Sequence, residues 1–305
     1  MALTACGGSS DAFQTTPSTT GAGSPSASAG GQLTVGGATF TEMKVMQRMY
    51  GELLTKAGYT VDYKDADNRE IYFASLKSGE IDVVPEYAAT MTEFLNLQAN
   101  GKDAKTIATN EAASTIEAAK PLAQAQGVTF LEPAKAADQN GFAVTKEFAD
   151  KNKVTSLSEL AGLGKPVRLA ATAECKDRPF CAIGLKDTYG LDIASIQPLG
   201  FGTPQAKKAV TSGKADLVLT GTTDGTLEQL GLVLLEDDKG LQLADNLVPV
   251  VNTESAGTPA VAEVLNKLAG VLTTEDLAAL NLKVDAERQK PEDVAKEYLQ
   301  SKGLL

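Results

Sequence analysis

LKSGEIDVVPEY, Leu76 to Tyr87, returns in altered form as VTSGKADLVLTG, Val210 to Gly221, 134 residues further on. Both copies carry Ser-Gly, two variable residues, Asp and then an apolar run. Glycine supplies the left-handed backbone that ends a helix, and the short apolar run after it reads as a buried strand. Two such junctions at one spacing predict a chain built from two similar units.

Working outward from each copy gives the same grammar. In the first unit, Gln32 to Gly36 reads as a strand, and Val45, Met46, Met49, Leu53 and Leu54 recur at helical intervals behind it. Thr39 with Glu42 reads as a capping box for that helix, with Gly58 at its end. A strand over Tyr59 to Tyr63 follows, then a helix opened by Asp67 and Glu70 and ended by Gly79, then the strand from Ile81 to Val84. In the second unit Val167 to Ala170 is a strand, a helix precedes Gly190, Thr203-Pro204 opens a helix that Gly213 closes, and Asp216 to Leu219 is the matching strand. Strand alternating with helix predicts parallel sheets with helices on their faces.

Two stretches that mix loop residues with apolar runs, Phe130 to Val144 and Leu241 to Val251, join the units. Helices predicted over Pro259 to Leu272, Thr274 to Asn281 and Pro291 to Lys302 complete the chain. The expected fold is therefore α/β and two-lobed, each lobe a mostly parallel sheet flanked by helices. Lobe 1 is discontinuous, residues 32–138 plus 245–305, and lobe 2 is residues 139–244. Two crossings make a hinge, and facing lobes leave a cleft.

Composition narrows what the cleft can do. The chain has no histidine, which removes Ser-His-Asp and Cys-His pairs, imidazole acid-base chemistry and most zinc sites. No GxSxG, Walker, HExxH or GxGxxG motif is present. The net charge of -11 argues against nucleic acid or an anionic membrane as partner. A binding protein without cofactor fits better than an enzyme, which would have to work with Asp, Glu, Lys or Cys alone.

Near the N-terminus, Leu3-Thr4-Ala5 directly before Cys6 resembles a bacterial lipobox, in which the cysteine is lipidated. No basic run or long apolar run precedes it, as expected where a signal peptide has been removed. Gly7 to Gly31 is almost entirely Gly, Ser, Thr, Ala and Pro and predicts a flexible tether. Cys175 and Cys181 enclose five residues in CKDRPFC, too far apart for a CxxC motif, and read as a structural disulfide. So short a ring contributes only about 2 kcal/mol in the loop-entropy account, so its use is to hold a shape.

VGGATFTEMKVMQRMYGELLTKAGY, NREIYFASLKSGEIDVVPEYAAT, ECKDRPFCAIGLKDTYGL, TTDG and the closing LTTEDLAALNLKVDAERQKPEDVAKEYLQSKGLL together resemble, in order, the substrate-binding proteins of ABC importers for glycine betaine, choline and related osmoprotectants. The resemblance implies a periplasmic-binding-protein fold, a small-molecule ligand, and a permease with its ATPase as partners. A monomer is the expected state. A sensor docking on a membrane receptor would share the same sequence features.

The resemblance also implies site residues. Tyr87 stands where such proteins place a cage tyrosine, Thr90 where they place a hydroxyl that binds a ligand carboxylate, and Arg178 resembles an arginine that reaches into the cleft. The repeat adds its own reading: both strands run towards the cleft, so the residues at and just beyond their ends become its walls. These are Pro85, Glu86, Tyr87 and Thr90 in lobe 1 and Thr220 to Asp224, with Thr222, in lobe 2. Thr39, Asp138, Asn140 and Asp245 are further candidates. Other cage positions depart from the family: Asn140-Gly141, Gly221 and Asp245 stand where rings are common. A depleted aromatic cage, a hydrogen-bonding pocket and weak or no glycine betaine binding are therefore expected; micromolar betaine affinity would mean that Phe142, Phe201 or Tyr72 supply the missing faces. Each residue also has a structural reading. Tyr87 can be packing, Thr90 a cap, Arg178 surface, and Asn140 and Asp245 backbone-bonding residues at the crossings.

Overall fold

The computed structural model describes residues 30–305. Cys6 and nearly all of the expected tether lie outside these residues. Among the described residues ten strands form two five-stranded sheets of matching topology. The first contains β1 (Gln32–Gly37), β2 (Thr60–Asp65), β3 (Val83–Tyr87), β4 (Val128–Phe130) and β10 (Leu247–Asn252), in the order β2-β1-β3-β10-β4. The second contains β5 (Asn140–Thr145), β6 (Val167–Ala171), β7 (Ile193–Pro198), β8 (Leu217–Gly221) and β9 (Leu232–Leu234), in the order β7-β6-β8-β5-β9.

In each sheet three strands run parallel, and a fourth, the strand that follows a crossing, runs antiparallel to both its neighbours. That strand is β10 in the first sheet and β5 in the second. The two crossings touch: Ala137 bridges Asn246, and the Asp138 amide donates to the Asp245 carbonyl at 3.1 Å.

Helices cover the faces. Helix α1 (Thr41–Lys56), α2 (Arg69–Ser78), α3 (Ala88–Asn100) and α4 (Ala112–Ala125) belong to the first sheet, and α5 (Lys146–Asn152), α6 (Leu157–Gly162), α7 (Gly184–Tyr189) and α8 (Pro204–Thr211) to the second. Then α9 (Pro259–Ala269), α10 (Thr274–Asp285) and α11 (Pro291–Ser301) return to the first core, where Leu265, Leu277 and Leu299 join the buried face of α1. Among the described residues no helix is long and apolar enough to cross a membrane.

The repeat has a structural role in both lobes. Gly79 and Gly213 adopt left-handed φ values of 78° and 72° after α2 and α8, a conformation glycine takes without strain. The aspartate three residues on then ties its strand to the neighbour: Asp82 Oδ2 accepts from Thr34 N at 2.7 Å, and Asp216 Oδ2 from Arg168 N at 2.8 Å. One device therefore registers β3 on β1 and β8 on β6.

Two expected caps do not form. Helix α1 starts after Phe40 without a side-chain cap, because Glu42 turns inward instead of back to its own N-terminus. Helix α2 is capped by Asn68, which accepts from Ile71 N, rather than by Asp67. The cap of α8 falls on Thr203, as the sequence predicts.

Candidate functional site

Parallel strands deliver the residues after their carboxyl ends to one edge of a sheet. Here the ends of β1, β2 and β3 in one lobe and of β6 and β7 in the other face each other across a cavity of about 700 Å³. The residues just past these strand ends, Ala38 to Phe40, Asp67 to Glu70, Thr172 to Glu174 and Gly200 to Phe201, line it, with the disulfide loop forming one rim. Cys175 and Cys181 are bonded, with Cα atoms 5.3 Å apart, as the sequence predicts.

The wall is richer in rings than expected. Phe40, Tyr72, Tyr87, Phe94, Phe180 and Phe201 all line the cavity. Phe40 stacks on Tyr87 at 6.4 Å between centroids and lies 5.3 Å from Phe201 across the lobes. The expectation of depletion rested on positions 140, 141, 221 and 245, and the rings come from elsewhere. Phe40 follows β1 as Tyr87 ends β3, so applying the strand-end rule to every parallel strand finds it, along with Phe201 beyond β7. Phe94 and Phe180 carry no such signal, and Phe142 is buried in the second core.

Behind the rings lies a charged layer. Arg69 makes a bidentate pair with Glu86, Nε to Oε1 at 2.9 Å and Nη2 to Oε2 at 2.7 Å, and donates to Thr90 Oγ1 at 3.1 Å. Tyr72 donates to the same carboxylate at 2.7 Å. Burial is the largest single influence on Arg69 and opposes its charge, but Glu86, Tyr72 and Asp245 together outweigh it and hold the guanidinium well above its ordinary pKa. Pro85 and Glu86, expected as cleft wall, are strand residues behind it, and Glu86 is fully buried.

Two carboxylates of the crossings reach the cavity floor. Asp245, 3% exposed, accepts from Thr90 N at 2.8 Å and thereby caps α3 from a distant segment, since Tyr87 offers α3 no side-chain cap. Burial pushes its carboxyl up to about 7, against the pull of the Thr90 amide and Arg69. Asp138, 5% exposed, accepts on Oδ1 from Thr222 Oγ1 and Thr223 N, both at 3.0 Å. Burial, and then the nearby Glu42, raise it well above the usual carboxylate range.

Glu42 is the residue the sequence placed in a cap. Its carboxylate accepts from Tyr87 Oη at 2.7 Å, Thr223 Oγ1 at 2.7 Å and Asn281 Nδ2 at 2.8 Å, drawing β3, the loop after β8 and α10 together. Burial raises its pKa, and burial also pushes the Tyr87 hydroxyl far up, so that proton stays in the bond.

The structure brings Thr39, Tyr87, Thr90, Asp138, Asn140, Arg178 and Asp245 to the cavity and leaves Thr222 outside it. Thr220 to Asp224 are occupied elsewhere: Thr220 donates to Asp224, which pairs with buried Lys207 at 2.6 Å, and Thr222 faces Asp138. Asn140 Nδ2 donates to the Phe180 carbonyl at 3.0 Å, a bond that Gln242 repeats, so it braces the disulfide loop. Arg178 reaches across the mouth to Glu70 at 3.1 Å and approaches Glu174 at 3.5 Å. Below that pair, Phe180 packs on Ala89 and Ala108 of the other lobe.

Comparison with known proteins agrees with this geometry. The family described as the substrate binding domain of ABC-type glycine betaine transport systems matches residues 31–301. A glycine-betaine-binding protein of Pseudomonas aeruginosa is 28% identical over 283 residues, 90% of this chain and 88% of that one. The glycine betaine-binding protein YehZ of Escherichia coli is 29% identical over 281 residues, 88% and 90% of the two chains. The solved structure of apo YehZ has a TM-score of 0.61 at 26% identity, covering 90% of this chain and 99% of that one.

Proposed function

The chain belongs to the family of substrate-binding domains of ABC-type glycine betaine transport systems, and on that premise we propose that its cavity captures a small organic cation of the quaternary-amine class. Proteins of this family are extracytoplasmic, act in transport rather than as enzymes, and capture solute for an ABC importer. The observation that supports the ligand class is the wall of six rings over a floor of two buried carboxylates. Ring faces attract a desolvated cation, by up to about 2 kcal/mol at each contact, and a bound cation favours the ionised form of the two floor carboxyls, whose pKa values burial raises.

In this reading residues 32–138 with 245–305 form one jaw and 139–244 the other. They close about the Asp138–Asp245 crossing, with ligand as the glue. Tyr87 and Phe40 hold the cationic head, and Arg178 with Glu70 closes the mouth. Cys6 carries the lipid that keeps the monomeric protein beside its permease.

A melting-temperature screen over quaternary amines, amino acids, polyamines and sugars tests the ligand class, because a ligand that binds only the folded state raises the midpoint. Amines should raise it, and Phe40→Ala should abolish the rise. A screen in which only sugars or uncharged amino acids act would refute the reading.

A further inference from the structure

We infer that Asp138 sets the charge selectivity of the cavity: it is the counter-ion for a net cation bearing an N–H or O–H donor, and the site rejects ligands that add a carboxylate. This rests on the reading of the cavity as a solute site, and deepens it.

The two crossing carboxylates are equivalent by topology. Asp245 leads into β10 and accepts from the amide of Thr90, just past β3. Asp138 leads into β5 and accepts from the amide of Thr223, just past β8. Their neighbours differ in sign. Asp245 feels the Arg69–Glu86 ion pair, whereas among the described residues Asp138 feels Glu42 with no cation beside it, and Thr223 binds Asp138 through its amide and Glu42 through its hydroxyl. The groups facing this pair are Tyr87 from β3, Asn281 from α10 and the threonines after β8, all neutral donors. Among the described residues no basic side chain neutralises it. Both hydrogen bonds to Asp138 fall on Oδ1, so Oδ2 keeps its lone pairs for the cavity.

Gly221 makes room for that oxygen. A Cβ at 221 would stand 2.5 Å from Asp138 Oδ2, so any side chain there, a ring included, would displace the carboxylate. Meanwhile every basic residue on the described wall is paired: Arg69 with Glu86, Arg178 with Glu70, Lys176 with Asp177. A ligand carboxylate would find no unpaired cation there, and desolvating it beside Asp138 and Glu42 is costly. A ligand with a positive charge and a donor finds Oδ2 open, and its charge favours the ionised form of a carboxyl that burial and Glu42 otherwise push toward the neutral acid.

Titration calorimetry of the full chain with choline and with glycine betaine tests this. Choline should bind about tenfold tighter or more. Asp138→Asn, which keeps an acceptor for Thr223, should weaken choline by about tenfold while leaving glycine betaine nearly unchanged, so the ratio collapses. Gly221→Ala should lower the same ratio without removing any charge. Glycine betaine binding as tightly as choline, or both ligands losing equally in Asp138→Asn, overturns the inference and leaves the proposed solute class intact. Binding of neither overturns both.

Discussion

The two copies of the repeat use the same clamp and diverge at the strand end. Asp82 and Asp216 both hold the amide of the neighbouring strand, yet the residues four and five beyond them are Glu86 and Tyr87 in one copy and Thr220 and Gly221 in the other. Each copy also buries an ion pair that joins the preceding helix to the strand end or the loop past it, Arg69 with Glu86 and Lys207 with Asp224. Of these four residues only Arg69 lines the cavity. What is shared holds a sheet together, and what differs builds a binding wall on one lobe and a hinge contact on the other.

Separating the two ion pairs is the strongest way to break this comparison. Arg69→Met and Lys207→Met each strand a buried carboxylate, so each should cost about 3–5 kcal/mol in a urea titration. Only Arg69→Met should also abolish the ligand-induced rise in melting temperature. Equal loss of binding in both would mean that the second pair shapes the site.

The crossing carboxylates sharpen it further through pH. The folded carboxyl of Asp245 is pushed up to about 7, above its ordinary value near 3.9. Its contribution to stability is therefore fully present below about pH 4 and lost as pH rises through about 7, on the order of 4 kcal/mol. Asp245→Asn retains an acceptor for Thr90 and should flatten the melting-temperature curve across that window. A wild-type curve without this decline would contradict the shift.

A smaller contrast separates the clamps themselves. Asp82 is buried, so Asp82→Ala leaves the Thr34 amide without a partner and should cost about 1–3 kcal/mol. Asp216 is 38% exposed and its pair with Arg168 is screened, so Asp216→Ala should cost about 1 kcal/mol. Denaturant midpoints of the two variants measure the difference. The smallest effect belongs to the mouth: Arg178→Gln removes a part-exposed pair of about 0.2–1 kcal/mol. It should speed ligand release in stopped-flow displacement, and high salt should have the same effect on wild type.

Much of this was legible in the residues. Apolar spacing placed α1, and Gly79 and Gly213 placed two helix ends, because those signals act within one turn of chain. The strand-end rule found Tyr87, though applying it at only two strands missed Phe40 and left Phe201 as an alternative ring. Glu42 was misread because a Thr-x-x-Glu pattern is local, whereas the donors that claim its carboxylate, Tyr87, Thr223 and Asn281, come from distant positions. The strand-end residues from Thr220 to Asp224 followed the rule in sequence but are drawn away by Lys207, Glu42 and Asp138.

The alternation of strand and helix in each unit, the doubled unit, the disulfide and the family were thus set by the sequence alone, since periodicity, turn residues and ordered motifs need no knowledge of what lies across the cleft. Which carboxylates remain without a cation, and which rings meet, was decided by tertiary structure. Charge balance and ring contact depend on side chains that arrive from both lobes, far apart in the chain.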